Sequence, residues 1–143
     1  MLKGIPKIIS PELLKTLSET GHGDEIVIAD GNFPAETLGK RVVRADGISG
    51  TEMLEAVLSL VPLDTYSDPN FMLMQLTESD KGWINPTIWD EYKNIADRYD
   101  KNVRIGFIDR FDYYERAKSA YVVIATGEEA VYANIILKKG VIK

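Results

Sequence analysis

Residues 10–32 read SPELLKTLSETGHGDEIVIADGN, and the reading of this stretch decides the fold class. Ser10-Pro11-Glu12 carries three marks of a helix start: a capping hydroxyl, a proline suited to the first helical position, and an acid at the positive end of the helix dipole. Leu13, Leu14 and Leu17 then form a helical apolar stripe, and Gly21 supplies a stop. The next apolar run, Glu25-Ile26-Val27-Ile28-Ala29, has the length and β-branching of a fully buried strand. It ends in the turn cluster Asp30-Gly31-Asn32.

The same alternation continues outward. Arg41–Arg44 is predicted as a strand closed by the turn pair Asp46-Gly47, and residues 51–60 as a helix with Met53, Leu54, Val57 and Leu58 on one face. Phe71–Leu76 has strand length, and Asn85-Pro86 opens an amphipathic helix whose apolar positions are Ile88, Tyr92, Ile95, Ala96 and Tyr99. A strand over Val103–Ile108, a short helix over Tyr113–Ala120 and strands over Tyr121–Ala125 and Asn134–Leu137 complete the pattern. Strands alternating with helices predict an α/β fold, arranged as a three-layer αβα sandwich around a central β-sheet. The turn Thr126-Gly127-Glu128 leaves too little chain for a helical crossover. The last two strands are therefore expected to be an antiparallel pair, and the sheet mixed.

The bulk properties narrow the function classes. A chain of 143 residues fits one domain, residues 1–143, with a core of its own. There is no cysteine, which excludes disulfides, thiolate metal sites and a cysteine nucleophile. The net charge of −5 with scattered Lys and Arg argues against a nucleic-acid partner, which needs clustered cations. Met1–Ile9 does not read as a signal peptide, and no apolar run approaches the ~20 residues of a membrane span. A cytoplasmic protein with no membrane partner is expected. P-loop, GxGxxG and GxSxG motifs are all absent, which disfavours nucleotide kinases, dinucleotide dehydrogenases and α/β-hydrolases.

His22, the only histidine, stands between Gly21 and Gly23 where a helix ends and a strand begins. A helix C-terminus and nearby carboxylates favour imidazolium, so the ring is a candidate proton shuttle near neutral pH. Its plainer role is that of a polar residue ending a helix. Metal ligation is not expected, because one histidine and no cysteine leave only oxygen ligands and no calcium-loop spacing is present. Asp30 follows a strand, at the edge where open α/β sheets commonly bind ligands, although an aspartate before glycine is more often an Asx-turn. Asp64 is a loop candidate that could equally be a cap or a solvated charge. Arg110 follows the strand ending at Ile108, and its planar fork suits two hydroxyls or a carboxylate, with a salt bridge as the ordinary fate. Tyr113, Tyr114, Tyr121 and Tyr132 crowd the C-terminal third. Tyrosines are commonly core or rim residues, yet with arginine they also suit sugars, which present apolar C–H faces beside hydroxyls.

Taken in order, Ile9-Ser10-Pro11-Glu12-Leu13-Leu14, Gly21-His22-Gly23-Asp24-Glu25-Ile26, Asp30, Asn32-Phe33-Pro34, Arg44-Ala45-Asp46-Gly47 and Pro62-Leu63-Asp64-Thr65-Tyr66 form one specific set. Arg110-Phe111, Tyr114-Glu115-Arg116-Ala117, Thr126-Gly127-Glu128 and Tyr132-Ala133-Asn134-Ile135-Ile136-Leu137 extend it. This set resembles the RbsD/FucU family, which includes L-fucose mutarotases and D-ribose pyranases. The likeness covers nearly the whole chain and is loosest over residues 68–104. The GHGDE and FP spellings resemble the fucose branch; Ala133 carries the ribose spelling.

The resemblance implies an isomerase that interconverts the anomers of free L-fucose by acid/base ring opening, without metal or organic cofactor. D-ribose pyranase activity is the alternative, and a non-catalytic sugar-binding accessory a third. By the same likeness His22 is the acid/base residue, and Asp30 binds sugar or orients the histidine. Arg110, Tyr114, Tyr132 and Asn134 are expected to contact sugar, with Asp64 and Met74 as further candidates. Tyr114 or Tyr132 is the expected second acid/base. The likeness also implies a ring-shaped homodecamer with sites shared between subunits.

Overall fold

The computed structural model describes residues 1–143. At its centre is β1 (Glu25–Ala29), in which Ile26, Val27, Ile28 and Ala29 are all fully buried. Alternation along the strand sends Ile26 and Ile28 to one face and Val27 and Ala29 to the other. Ile26 and Ile28 join the larger core with Leu13 and Leu17 of α1 (Pro11–Glu19), Met53, Leu54 and Val57 of α3 (Gly50–Leu58), and Tyr92, Ile95 and Ala96 of α4 (Ile88–Tyr99). Val27 and Ala29 join a smaller core with Ala35 of α2 (Ala35–Leu38) and with Tyr113 and Ala117 of α5 (Arg110–Ser119). Helices thus cover both faces of one sheet, the expected three-layer αβα arrangement. Each large side chain buried in these cores is worth roughly 1.5–3 kcal/mol.

The other strands are β2 (Val42–Ala45), β3 (Phe71–Met74), β4 (Ile105–Ile108), β5 (Val122–Thr126) and β6 (Ile135–Lys138), in the order β2-β5-β1-β6-β3-β4. β1 runs parallel to β5 with Ile26 opposite Val122, and antiparallel to β6 with Val27 opposite Ile136. β6 is also antiparallel to β3, while β2–β5 and β3–β4 pair in parallel. The sheet is mixed, as expected, but β5 and β6 are not neighbours. β1 lies between them, and residues 127–134 step across it. A short connection sets strand direction without setting adjacency, because crossing one intervening strand requires only about 10 Å.

Several boundaries also move. α4 starts at Ile88 with Thr87 at its N-cap position, after a turn in which Trp89 N–H donates to the Pro86 carbonyl. α5 starts at Arg110, three residues earlier than its apolar periodicity indicated, because Phe111 in its first turn faces outward. The four-residue α2 has no sequence-level counterpart, since one turn is too short to show a period.

One consequence of this topology positions the chemistry. The C-terminal ends of β1, β3, β4 and β5 and the N-terminal end of β6 share one edge of the sheet. Asp30, Met74, Arg110 and Asn134 all lie at that edge or just beyond it.

Candidate active site

Asp30 and Asn134 face each other across the β1–β6 pairing. The Asp30 backbone N–H donates to Asn134 Oδ1 at 2.8 Å, and Asn134 Nδ2 donates to Asp30 Oδ2 at 3.0 Å. Asn32 N–H donates to Asp30 Oδ1 at 3.0 Å. The carboxylate is buried, 7% exposed, and burial pushes its pKa up against these hydrogen bonds, which pull it down. The Asx-turn role and the pocket role therefore coexist at Asp30.

Arg110 and Tyr114 stand one helical turn apart at the start of α5, so both project from one face. Arg110 Nε donates to the Tyr114 hydroxyl oxygen at 3.0 Å. That bond occupies a phenol lone pair and leaves the Tyr114 proton free to be donated elsewhere. Together with Asp30, Asn32, Phe33 and Asn134, these residues line a cavity of about 410 Å³, inside the roughly 300–1,000 Å³ range of small-ligand sites. Met74, 5% exposed at the end of β3, also lines it. A second hollow of similar size near the N-terminus is lined by Met1, Leu2, Ile5 and Ile9. It offers no carboxylate or phenol for acid/base work.

The far wall comes from the turn Tyr132–Asn134 and from the β3–α4 connection, which contributes Thr77, Ser79 and Asp80. Tyr132 has a left-handed backbone, φ 58°, a conformation unusual outside glycine. Side chains from α4 pin this turn: Trp89 Nε1 donates to the Tyr132 carbonyl at 2.8 Å, and the Tyr92 hydroxyl donates to the Ala133 carbonyl at 3.0 Å. The Tyr132 hydroxyl donates to Asp80 Oδ2 and accepts from Thr77 N–H at 3.3 Å. Its proton is thus held by the protein, unlike that of Tyr114.

His22 lies at the opposite edge of the sheet. The left-handed φ of 85° at Gly23 makes the turn into β1, which only glycine adopts freely, and Gly23 N–H donates to the Lys139 carbonyl beyond β6. His22 Nε2 and Asp64 Oδ1 are 3.0 Å apart, and the ring sits 5.6 Å from that of Tyr66. The His22 side chain is 47% exposed, whereas Asp64 is 4% exposed. Asp64 also accepts from Ser67 Oγ at 2.5 Å and Tyr66 N–H at 3.2 Å. The Ser67 hydroxyl is the largest influence holding its pKa down to about 2, ahead of the His22 bond and against burial.

This geometry corrects one expectation: within a chain, Asp30 does not orient His22. β1 has five residues, so at about 3.3 Å per residue its two ends are roughly 13 Å apart. Asp64 holds the histidine instead. Asp64 is neither a cap nor a solvated charge, and it lies outside the cavity of Asp30, Arg110, Tyr114, Tyr132, Met74 and Asn134. Elsewhere, no three His, Cys, Asp or Glu side chains gather closely enough to hold a metal ion.

The model of the RbsD / FucU transport protein family matches residues 3–142. The chain belongs to the RbsD/FucU family. The human fucose mutarotase is 49% identical, over 99% of this chain and 94% of that protein. The crystal structure of FucU from Bifidobacterium longum superposes with a TM-score of 0.94 at 54% identity, covering 99% of this chain and all of that one. A fucose mutarotase from Streptococcus pneumoniae, crystallised in complex with L-fucose, gives 0.92 at 46% identity over 99% and 100% of the two chains. Membership accounts for the mixed sheet and the near-complete ordered motif set.

Phe33, Thr77, Ser79, Asp80 and Val131 also line the cavity, and the sequence singled out none of them for it. Thr77-Glu78-Ser79-Asp80 is a polar run following a buried strand. That placement beyond a strand's C-terminal end is the available signal. No helix of the chain is long and apolar enough to cross a membrane.

Proposed function

We propose that this chain is an L-fucose mutarotase, an isomerase that interconverts the α and β anomers of the free sugar. The observation that carries the proposal is the C-terminal-edge cavity. A buried carboxylate braced by an amide faces an arginine–tyrosine pair there, and one phenol proton remains available. A monosaccharide presents hydroxyls to such donors and acceptors, and its C–H face to apolar groups such as Met74 and the Tyr132 ring. The family relatives named as fucose mutarotases support this substrate.

Mutarotation needs two proton transfers and no redox change. A base removes the anomeric hydroxyl proton while an acid protonates the ring oxygen, and the C1–O5 bond breaks to give the aldehyde. Rotation about C1–C2 and reclosure, with the protons returned, yields the other anomer. Tyr114 suits one of these transfers, because Arg110 leaves its O–H directed away from the ion. Asp30, Asn134 and Arg110 hold the sugar hydroxyls. His22 is the other acid/base group, oriented by Asp64.

His22 and the cavity lie at opposite edges of one chain, so we assign the histidine of each site to the partner subunit. The partner subunit's His22, backed by the partner's Asp64, then completes the cavity formed by Asp30, Arg110, Tyr114, Tyr132 and Asn134. Phe111, 73% exposed, and Val131, 51% exposed, flank the cavity side of the molecule and suit burial against another copy. The assembly we propose is the homodecameric ring of the family resemblance, working in the cytoplasm.

The test is magnetisation-transfer NMR between the anomeric protons of L-fucose, with D-ribose in parallel. Enhanced exchange of L-fucose, on the roughly 10²–10⁴-fold scale of general acid–base help, is the expected result. Enhancement for D-ribose alone would move the chain to pyranase chemistry. Saturable binding without enhancement would make it a sugar-binding accessory.

A further inference from the structure

The β3–α4 connection carries a carboxylate, Asp80, that has no part in the proton transfers above. Asp80 sits in a series of tight turns: its N–H donates to the Thr77 carbonyl at 3.0 Å, and its own carbonyl accepts from Ile84 N–H at 3.1 Å. The side chain caps no helix and forms no direct ion pair, although its charge reaches Arg110 across the cavity. It points instead at the wall of the cavity, where Oδ2 takes the Tyr132 phenol proton. Tyr132 is itself fixed on both sides, by Thr77 N–H at its hydroxyl and by Trp89 at its carbonyl.

Asp30 and Asp80 are the two acids that line the cavity. Both oxygens of Asp30 already accept N–H groups from Asn32 and Asn134. Asp80 Oδ1 accepts no hydrogen bond from the protein. An ionised carboxylate is acceptor-only, a sugar ring carries several O–H donors, and charge-assisted bonds of this kind are the strong ones. We propose that Asp80 is a further sugar-binding residue of this site. Its Oδ1 receives a non-anomeric hydroxyl of the sugar, and Tyr132 acts as a positioning residue that locks the carboxylate by donating to Oδ2. This inference rests on the mutarotase reading above and adds to it a determinant of which sugar is accepted.

The test compares the wild-type protein with Asp80→Asn, which keeps shape, removes charge and, with its one amide oxygen turned to the Tyr132 phenol proton, leaves an NH2 group where Oδ1 stood. The substrates are L-fucose and the analogues in which each non-anomeric ring hydroxyl in turn is replaced by hydrogen. Asp80→Asn is expected to raise KM for L-fucose roughly tenfold or more with kcat within about threefold, the pattern of lost ground-state binding. One analogue should cost the wild-type protein a similar factor and cost Asp80→Asn nothing further. In the double variant with Tyr132→Phe, KM should be no higher than in Asp80→Asn alone, because the tyrosine acts through the carboxylate. Asp80→Ser removes the same acceptor and supplies the reading should the asparagine variant fail to fold. An unchanged KM, or equal losses for every analogue in both proteins, overturns the assignment of Asp80 while leaving the mutarotase reading intact. Absence of L-fucose exchange in the wild-type protein overturns both.

Discussion

Asp30 and Asp64 are both buried aspartates, yet their environments act in opposite directions. At Asp30 burial outweighs the hydrogen bonds and raises the pKa, so its ionised form costs stability near neutral pH. Asp30→Asn removes that cost and can keep the pairing with Asn134. Its amide NH2 then meets Asn32 N–H where an acceptor stood, so no net stabilisation is expected in denaturant unfolding, while L-fucose exchange is lost. At Asp64 the hydrogen bonds win and hold the pKa near 2 instead of 3.8. A depressed carboxylate contributes stability above its unfolded pKa and loses it as pH falls through the folded one. Acid unfolding is therefore expected to steepen between about pH 4 and pH 2, and Asp64→Asn should flatten that part of the profile. The sequence marks these residues as candidates but hides one of their partnerships. His22, Asp30 and Asp64 stand out by type and position. Which acid reaches the histidine depends on how residues 63–64 bridge to Lys139 beside β6, a contact with no local signal. Asp80 was silent for the same reason, as one polar residue in a polar turn.

The elements were more legible than their neighbours in space. α1 begins where Ser10-Pro11-Glu12 indicated, with Ser10 Oγ accepting from Leu13 N–H at 3.1 Å, and β1 occupies the predicted run. Both have strong local chemistry, a cap in one case and a β-branched buried run in the other. α3 has a full capping box, in which Ser49 Oγ takes Glu52 N–H and the Glu52 carboxylate takes Ser49 N–H. Ser49→Ala is expected to lower stability by about 1 kcal/mol, measured by chemical denaturation, without changing KM for L-fucose. α5 was harder to delimit because its first turn carries Arg110, outward-facing Phe111 and Asp112, none of which contributes to a core-facing stripe. That hidden turn is the one that places Arg110 and Tyr114 on the same face. The separation of β5 from β6 was hidden because a turn reports direction and length but not which strand is inserted between its ends.

Across the whole molecule, the sheet divides the chemistry between its two edges. The cavity opens at the edge that collects the C-terminal ends of the parallel strands, and the half-exposed His22, braced by Asp64, occupies the other. Class and layering follow from alternation and burial, which are properties of one chain. The complete site, on the assignment proposed above, is a property of at least two chains, and neither spacing nor composition encodes a contact between subunits. We infer that each fucose-exchanging centre joins one subunit's cavity to the partner subunit's His22. The most direct measurement is L-fucose anomer exchange by NMR in oligomers co-expressed from His22→Ala and Asp30→Asn chains, each inactive alone. A shared site is expected to regain exchange, because an intact cavity then meets an intact histidine across some interfaces. Mixed oligomers as inactive as either parent would contradict it.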